Sequence, residues 1–298
     1  MLFSVIIENM LEKNENICYF DAHFHLADCI YDGIPLPWDD IDWAGCTCSH
    51  SQKEWDVTER FRNKFGMTRT PFGMTRTPFG MTDTRHAELV SASHNRLCLS
   101  FGLHPQSAGN ININENAAFL EKLLQQNKLD AIGEAGFDYF TQEFKDHAAT
   151  QEEMFNIQLS LALQYNLPLI VHARKANEKL FEYSRQLKKL PAVLFHSFMG
   201  PAREAQSLIN HGINAYFSFG KQIMNNNKKV LDCVQNLPLQ NLLLETDAPF
   251  QYLKGERFTH PADIKKIYEA FFAIRREPQD TIFNTLQQNF KKMLNIVT

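Results

Sequence analysis

No stretch of this 298-residue chain approaches the roughly 20 consecutive apolar residues that a bilayer-spanning helix requires, which excludes helical membrane insertion. A basic excess is also missing. Lys and Arg total 30 against 34 Asp and Glu, a net charge of -4, so the chain lacks the basic stripe of proteins that grip long stretches of nucleic acid. Any nucleic-acid contact is therefore expected to be confined to a small site. The apolar opening MLFSVII has no basic run ahead of it and no small-residue cleavage site behind it, so it does not read as a secretory signal, and a cytoplasmic location is expected. The six cysteines (Cys18, Cys29, Cys46, Cys48, Cys98, Cys233) contain no C-x-x-C pair, and four of them lie in β-like apolar runs. A chain of this size needs no disulfide staples, so these thiols are expected to be reduced and mostly buried. Cys46 and Cys48 lack the second pair that would make them half of a zinc site.

What is present is a soluble globular composition, 44% hydrophobic and 21% charged. Barrels of about 250 residues fold around one core, so one domain over residues 1–298 is expected. Eight short apolar or β-branched runs end in polar or glycine-containing turns: ICYF (17–20), WAGCTC (43–48), LCLSFG (97–102), AIGE (131–134), LPLIV (167–171), AVLF (192–195), INAYFSF (213–219) and NLLLET (241–246). Helical periodicity separates several of them, at 114–127, 151–166 and 201–211, the last beginning with Pro201 at a first-turn position. Alternating strand and helix is the signature of a parallel sheet, and eight strands suit a closed (β/α)8 barrel of the TIM type. At 278–295, Ile282, Leu286, Phe290 and Met293 fall on one helical face, so this segment should dock as a closing helix.

FGMTRTP repeats with a period of seven from Phe65, each full unit carrying Pro and Gly, which rules out a coiled coil. Residues 65–95 read as a loop insertion, expected to be disordered and to take no part in chemistry. Loop-closure entropy grows slowly enough with length for such an insertion to be tolerated.

The chemistry-bearing pattern lies at the strand ends. In FDAHFHL, His23 and His25 stand two apart after the first apolar run, a spacing that sends both to one side of a strand. Glu134 follows AIG, His172 follows LPLIV, His196 follows AVLF and Asp247 follows LLLET. Barrel enzymes build their sites at the C-terminal strand ends, and four imidazoles with two carboxylates there can hold two divalent ions with one carboxylate bridging. His104 in FGLHP and Arg174 in HAR also face the barrel mouth and suit substrate binding, a guanidinium being well matched to phosphate oxygens. Asp138 and Glu245 are placed to orient ligands from behind. His50, His86, His94, His147, His211 and His260 have no such placement, and most of them are expected to be solvated.

The motifs FDAHFHL, FGLHP, GEAGFDY, LPLIVHAR, FHSF and LLLETDAP, in this order over about residues 17–250, resemble those of the TatD family of metal-dependent deoxyribonucleases. The resemblance implies an amidohydrolase-type barrel in which His23, His25 and Asp247 bind one metal, His172 and His196 the second, and Glu134 bridges, with Mg2+ favoured and Zn2+ or Mn2+ as alternatives. The segment 251–266, QYLKGERFTHPADIKK, departs from the family pattern by lacking its Thr-Pro step and the Arg-Asn-x-Pro stretch after it.

The chemistry expected is two-metal hydrolysis of a phosphodiester, 3′–5′ exonuclease-like, on single-stranded or frayed DNA. Asp247 would take the proton of water, and Glu134 would bridge the ions. DNA ends or a small phosphoester are the expected partners, with no membrane and no obligate protein partner. Attack at a carbonyl is the alternative hydrolytic reading, although many such barrels bridge their metals through a carboxylated lysine where this chain has Glu134. A catalytically silent binding scaffold is the alternative outside the enzymes.

Overall fold

The computed structural model describes residues 18–36, 41–64 and 96–296. Eight parallel strands pair in sequence order: β1 (Tyr19–Phe24), β2 (Trp43–Ser49), β3 (Arg96–Phe101), β4 (Ala131–Asp138), β5 (Leu169–Arg174), β6 (Val193–Phe195), β7 (Ala215–Phe219) and β8 (Leu242–Leu244). The segment after β8 returns to β1, where the Asp247 N–H donates to the His23 carbonyl (3.0 Å) and the His25 N–H to that of Ala248 (2.8 Å). This is the expected TIM-type (β/α)8 barrel. The repeat at 65–95, with its expected disorder, lies outside the described residues.

Helices cover the outer faces, among them α1 (Leu26–Tyr31), α2 (Gln52–Lys64), α3 (Ile113–Gln125), α4 (Ala148–Tyr165), α5 (Ala202–Asn210), α6 (Ile264–Ile274) and α7 (Gln279–Met293). The three helices expected at 114–127, 151–166 and 201–211 appear as α3, α4 and α5, although Pro201 caps α5 from outside instead of occupying its first turn. Its φ of -72° with ψ of 154° is extended backbone, and a proline lacking an N–H forfeits nothing there.

Inside the barrel, Phe20, Ala44, Cys46, Cys98, Ile170, Leu194, Tyr216 and Leu243 belong to one buried cluster that includes Phe290 and Met293 of α7. Phe290 meets Phe20 at 5.1 Å between ring centroids, and Asn289 donates to the carbonyls of Leu239 and Leu242 at 2.8 Å each. The closing helix thus plugs the N-terminal end of the barrel. Its expected apolar face, Ile282, Leu286, Phe290 and Met293, is fully buried. Burying each such side chain contributes about 1.5–3 kcal/mol, and polar side chains are left to the opposite, C-terminal end.

No helix among the described residues is long and apolar enough to cross a membrane. None of the six cysteines forms a disulfide, and five of them are buried.

Candidate metal centre

The first group of candidate ligands is assembled by β1 and the turn after β8. His23 is the fifth residue of β1, and His25 lies just beyond the strand as the residue before α1. Their convergence is not simple alternation, because the β1–β2 pairing shifts register between Asp21 and Phe24. The two Nε2 atoms lie 3.3 Å apart. Behind them, buried Asp21 accepts from the Thr246 N–H (2.9 Å) and hydroxyl (2.6 Å) and from the His23 N–H (3.3 Å), clasping β1 to the Thr246–Asp247 turn. Asp247, in left-handed backbone (φ 53°), thereby presents Oδ1 at 3.2 Å from His25 Nε2 and 3.7 Å from His23 Nε2.

Glu134 enters from β4, where pairing with β5 is irregular between Ile132 and Ala135. Flanking Gly133 (φ 140°) and Gly136 (φ 148°) permit this path, since a Cβ would lie 2.5 Å from the Ile170 oxygen at the first and 2.0 Å from the His172 oxygen at the second. The Glu134 carboxylate is buried, and its oxygens face different ways. Oε1 is 3.2 Å from His23 Nε2, 3.4 Å from His25 Nε2 and 3.2 Å from His50 Nε2. Oε2 is 2.6 Å from His196 Nε2, 3.3 Å from His172 Nδ1 and 3.6 Å from His104 Nε2. Burial works to raise its pKa, but His196, His23 and His104 outweigh that and hold the carboxyl well below its usual range.

Contacts behind the site fix which nitrogen two of the imidazoles, His172 and His104, offer. His172 gives Nε2 to Asp138 Oδ2 at 3.1 Å, leaving Nδ1 to face Glu134 and, at 3.2 Å, His196 Nε2. Burial opposes ionisation of Asp138, but His172, Gln106 and the Phe140 N–H bring its carboxyl down to about 2. Glu245 lies 3.8 Å from His196 Nδ1 through Oε1 and accepts the Ser218 hydroxyl at Oε2 (2.5 Å). Asp247 Oδ2 accepts from Gln251 Nε2 at 2.6 Å, and that amide also reaches the Ser197 hydroxyl. His104 accepts the Gln106 N–H at Nδ1 (3.2 Å), so its proton sits on Nε2, which faces the site. Burial lowers its pKa to about 3, making it a neutral donor.

The six residues expected as metal ligands are all brought together, and all of them but His23 line a cavity of about 800 Å³ together with His104 and Arg174. Three of the six depart from the strand-end expectation. His23, Glu134 and His172 lie within strands, because backbone pairing continues past the apolar runs in β1, β4 and β5, whereas His25, His196 and Asp247 follow their strands. His50, expected to be solvated, instead lines this cavity against Glu134 and Cys48, with its Nε2 3.3 Å from Cys48 Sγ. The overlooked signal was position: His50 directly follows Ser49, the last residue of β2. His260 caps a 3-10 turn from outside the cavity, and His86 and His94 lie outside the described residues.

The donor set fits divalent cations. Glu134 Oε1 is buried and accepts no hydrogen bond although three imidazole nitrogens lie within 3.4 Å of it. In the close pairs His23–His25 and His172–His196, facing nitrogens cannot both be protonated. Lone pairs converging without protons are what a shared cation requires. Candidate groups include His23–His25–Asp247 and His23–Glu134–His196.

The family model described as TatD related DNase matches residues 20–295. The uncharacterized metal-dependent hydrolase YabD of Bacillus subtilis (strain 168) is 30% identical over 219 residues, covering 72% of this chain and 83% of that protein. The 3′-5′ ssDNA/RNA exonuclease TatD of Escherichia coli K12 is 26% identical over 223 residues, covering 72% and 84%. The crystal structure of YjjV, a TatD homolog from Escherichia coli K12, superposes with a TM-score of 0.72 at 23% identity, over 95% of this chain and 100% of that one.

Proposed function

The chain belongs to the TatD-related DNase family of metal-dependent hydrolases, and from that membership we propose that it cleaves phosphodiester bonds at the 3′ end of single-stranded or frayed DNA, with two divalent cations. The observation that carries this reading is the division of Glu134, one oxygen toward His23 and His25, which Asp247 also approaches, and the other toward His172 and His196. Such a pair of ions would be held by His23, His25 and Asp247 on one side and by His172 and His196 on the other, and would activate water and neutralise charge on the attacking and leaving oxygens. Mg2+ is the working ion in this proposal, with Zn2+ and Mn2+ as alternatives that the imidazole-rich shell also suits.

The chain's own groups then have defined tasks. Asp247 accepts the proton of the attacking water, its orientation set by Gln251 behind it. Glu134 keeps the two ligand groups in register. His104 offers its Nε2–H to a non-bridging or leaving oxygen, and Arg174 pairs with the phosphate at the cavity edge. Water adds at phosphorus, the P–O3′ bond breaks, and the proton returns to the released 3′ oxygen. A net charge of -4 suits a site that takes a strand end better than one that tracks a duplex.

The test incubates the metal-loaded protein with end-labelled single-stranded DNA, duplex DNA and a panel of amides and esters, beside His23→Ala and Asp247→Ala. Stepwise loss from the 3′ end of the single strand, abolished in both variants, is expected. Intact DNA under every metal with cleavage of an amide would overturn the reading.

A further inference from the structure

Of the seven large apolar side chains exposed among the described residues, Met199, Phe250 and Tyr252 line the metal-centre cavity, and a fourth, Phe140, lies under Arg174, which also lines it. Exposed apolar surface concentrated at one mouth marks a binding surface. Tyr252 is 56% exposed and Phe250 48%. Both follow β8, whereas Phe140 follows β4, and in an eight-stranded barrel of sequential order β4 and β8 lie on opposite sides of the mouth. The aromatic groups therefore flank the Glu134 carboxylate.

Both platforms are held in place. Phe250 packs edge-on against His25, ring centroids 5.0 Å apart, and its N–H donates to the Asp247 carbonyl at 2.7 Å. The chain just past Tyr252 is pinned where the Leu253 N–H meets Glu256 Oε2 (2.8 Å), which in turn takes the Lys221 ammonium at 2.5 Å. Lys221 is itself buried and also reaches Asp263 at 2.7 Å. Across the mouth, the Arg174 guanidinium sits 3.6 Å from the Phe140 ring centroid and the Lys175 ammonium 4.5 Å from it. Aromatic faces beside cationic groups match a single strand, whose bases stack and whose phosphates are negative.

Resting on the nuclease reading above, we infer that the Phe250–Tyr252 rim is a stacking platform for nucleobases and the Phe140–Arg174–Lys175 rim a cationic seat for the same strand on the far side of the scissile phosphate. Tyr252 stands in the loop that follows β8, and loops after barrel strands set substrate choice.

The test compares a 3′-labelled oligothymidylate with an abasic deoxyribose-phosphate polymer of equal length, using wild type, Tyr252→Ala and Tyr252→Phe. Wild type should favour the base-bearing polymer in kcat/KM. Tyr252→Ala should cut that preference roughly five- to a hundredfold, mainly through KM, and Tyr252→Phe should retain it. Independently of turnover, an oligomer ending in 2-aminopurine should be quenched on binding EDTA-treated wild type and Tyr252→Phe, but not Tyr252→Ala. Equal preference in all three proteins, with unchanged quenching, would overturn the platform while leaving the nuclease reading intact. Failure of wild type to cleave either polymer would bring down the nuclease reading and the platform with it.

Discussion

His196 Nε2 stands 2.6 Å from Glu134 Oε2, while the other oxygen of the same carboxylate lies 3.2 Å from His23 Nε2. One side chain therefore joins residues from β1 and β6 across the barrel mouth. Glu134→Gln keeps the volume but replaces one carboxylate oxygen with an amide donor. Loss of most divalent-metal binding is expected, with a fall in kcat of about a hundred- to a thousandfold, the scale of removing a principal electrostatic element. Calorimetric titration with Mn2+ checks the first and turnover the second.

His50 should matter to the metal centre although it is no member of the six-residue set. Its Nε2 is 3.2 Å from Glu134 Oε1 and its N–H donates to Glu54 Oε2 at 2.8 Å, which ties the end of β2 to α2. Outer contacts of this kind change metal affinity by about 10–100-fold. His50→Ala should weaken metal binding on that scale while leaving thermal stability near wild type, and unaltered affinity would return His50 to a packing role.

Asp21 is the clasp beneath the site. Asp21→Ala would orphan the buried N–H and hydroxyl of Thr246 and the N–H of His23. Unsatisfied buried groups cost about 1–3 kcal/mol each, so a loss of roughly 3 kcal/mol and a Tm fall of about 5–10 °C are expected. Scanning calorimetry of the two proteins would show it.

The Lys221 cluster gives stability a defined pH dependence. Burial would raise the Asp263 pKa, but Lys221 and Lys266 outweigh it and hold the carboxyl below its ordinary 3.8. The folded state thus binds its proton less readily than the unfolded chain, so the cluster stabilises at pH above 3.8 and its contribution fades as pH falls below that value. In Lys221→Met the Tm deficit relative to wild type should be largest near neutrality and shrink below pH 3.8. A deficit constant across pH would mean that Lys221 acts through packing alone.

The barrel and the convergence of the six residues proposed as ligands were legible because two periodicities coincide. Apolar runs of strand length repeat between helical stretches, and a His, Glu or Asp follows each of the runs at β1, β4, β5, β6 and β8. What was hidden depends on how backbones pair. The register shift between Asp21 and Phe24 and the irregular pairing around Glu134 place ligands within strands, which apolar patterning does not reveal. His50 was lost behind polar Ser49, which disguised the true end of β2. Lys221 and Gln251 gave no sequence signal at all, since their roles rest on partners 42 and 35 residues from Lys221 (Asp263, Glu256) and on a left-handed turn at Asp247. Asp138 and Glu245, by contrast, were readable from their spacing and do lie against His172 and His196.

The central claim is that Glu134 holds two cations between two separate imidazole groups. Counting bound Mn2+ per chain after equilibrium dialysis, in wild type, His172→Ala and Glu134→Gln, tests it most directly. Two ions in wild type, one in His172→Ala and fewer than one in Glu134→Gln are expected. A single ion in wild type, unaffected by loss of His172, would contradict it.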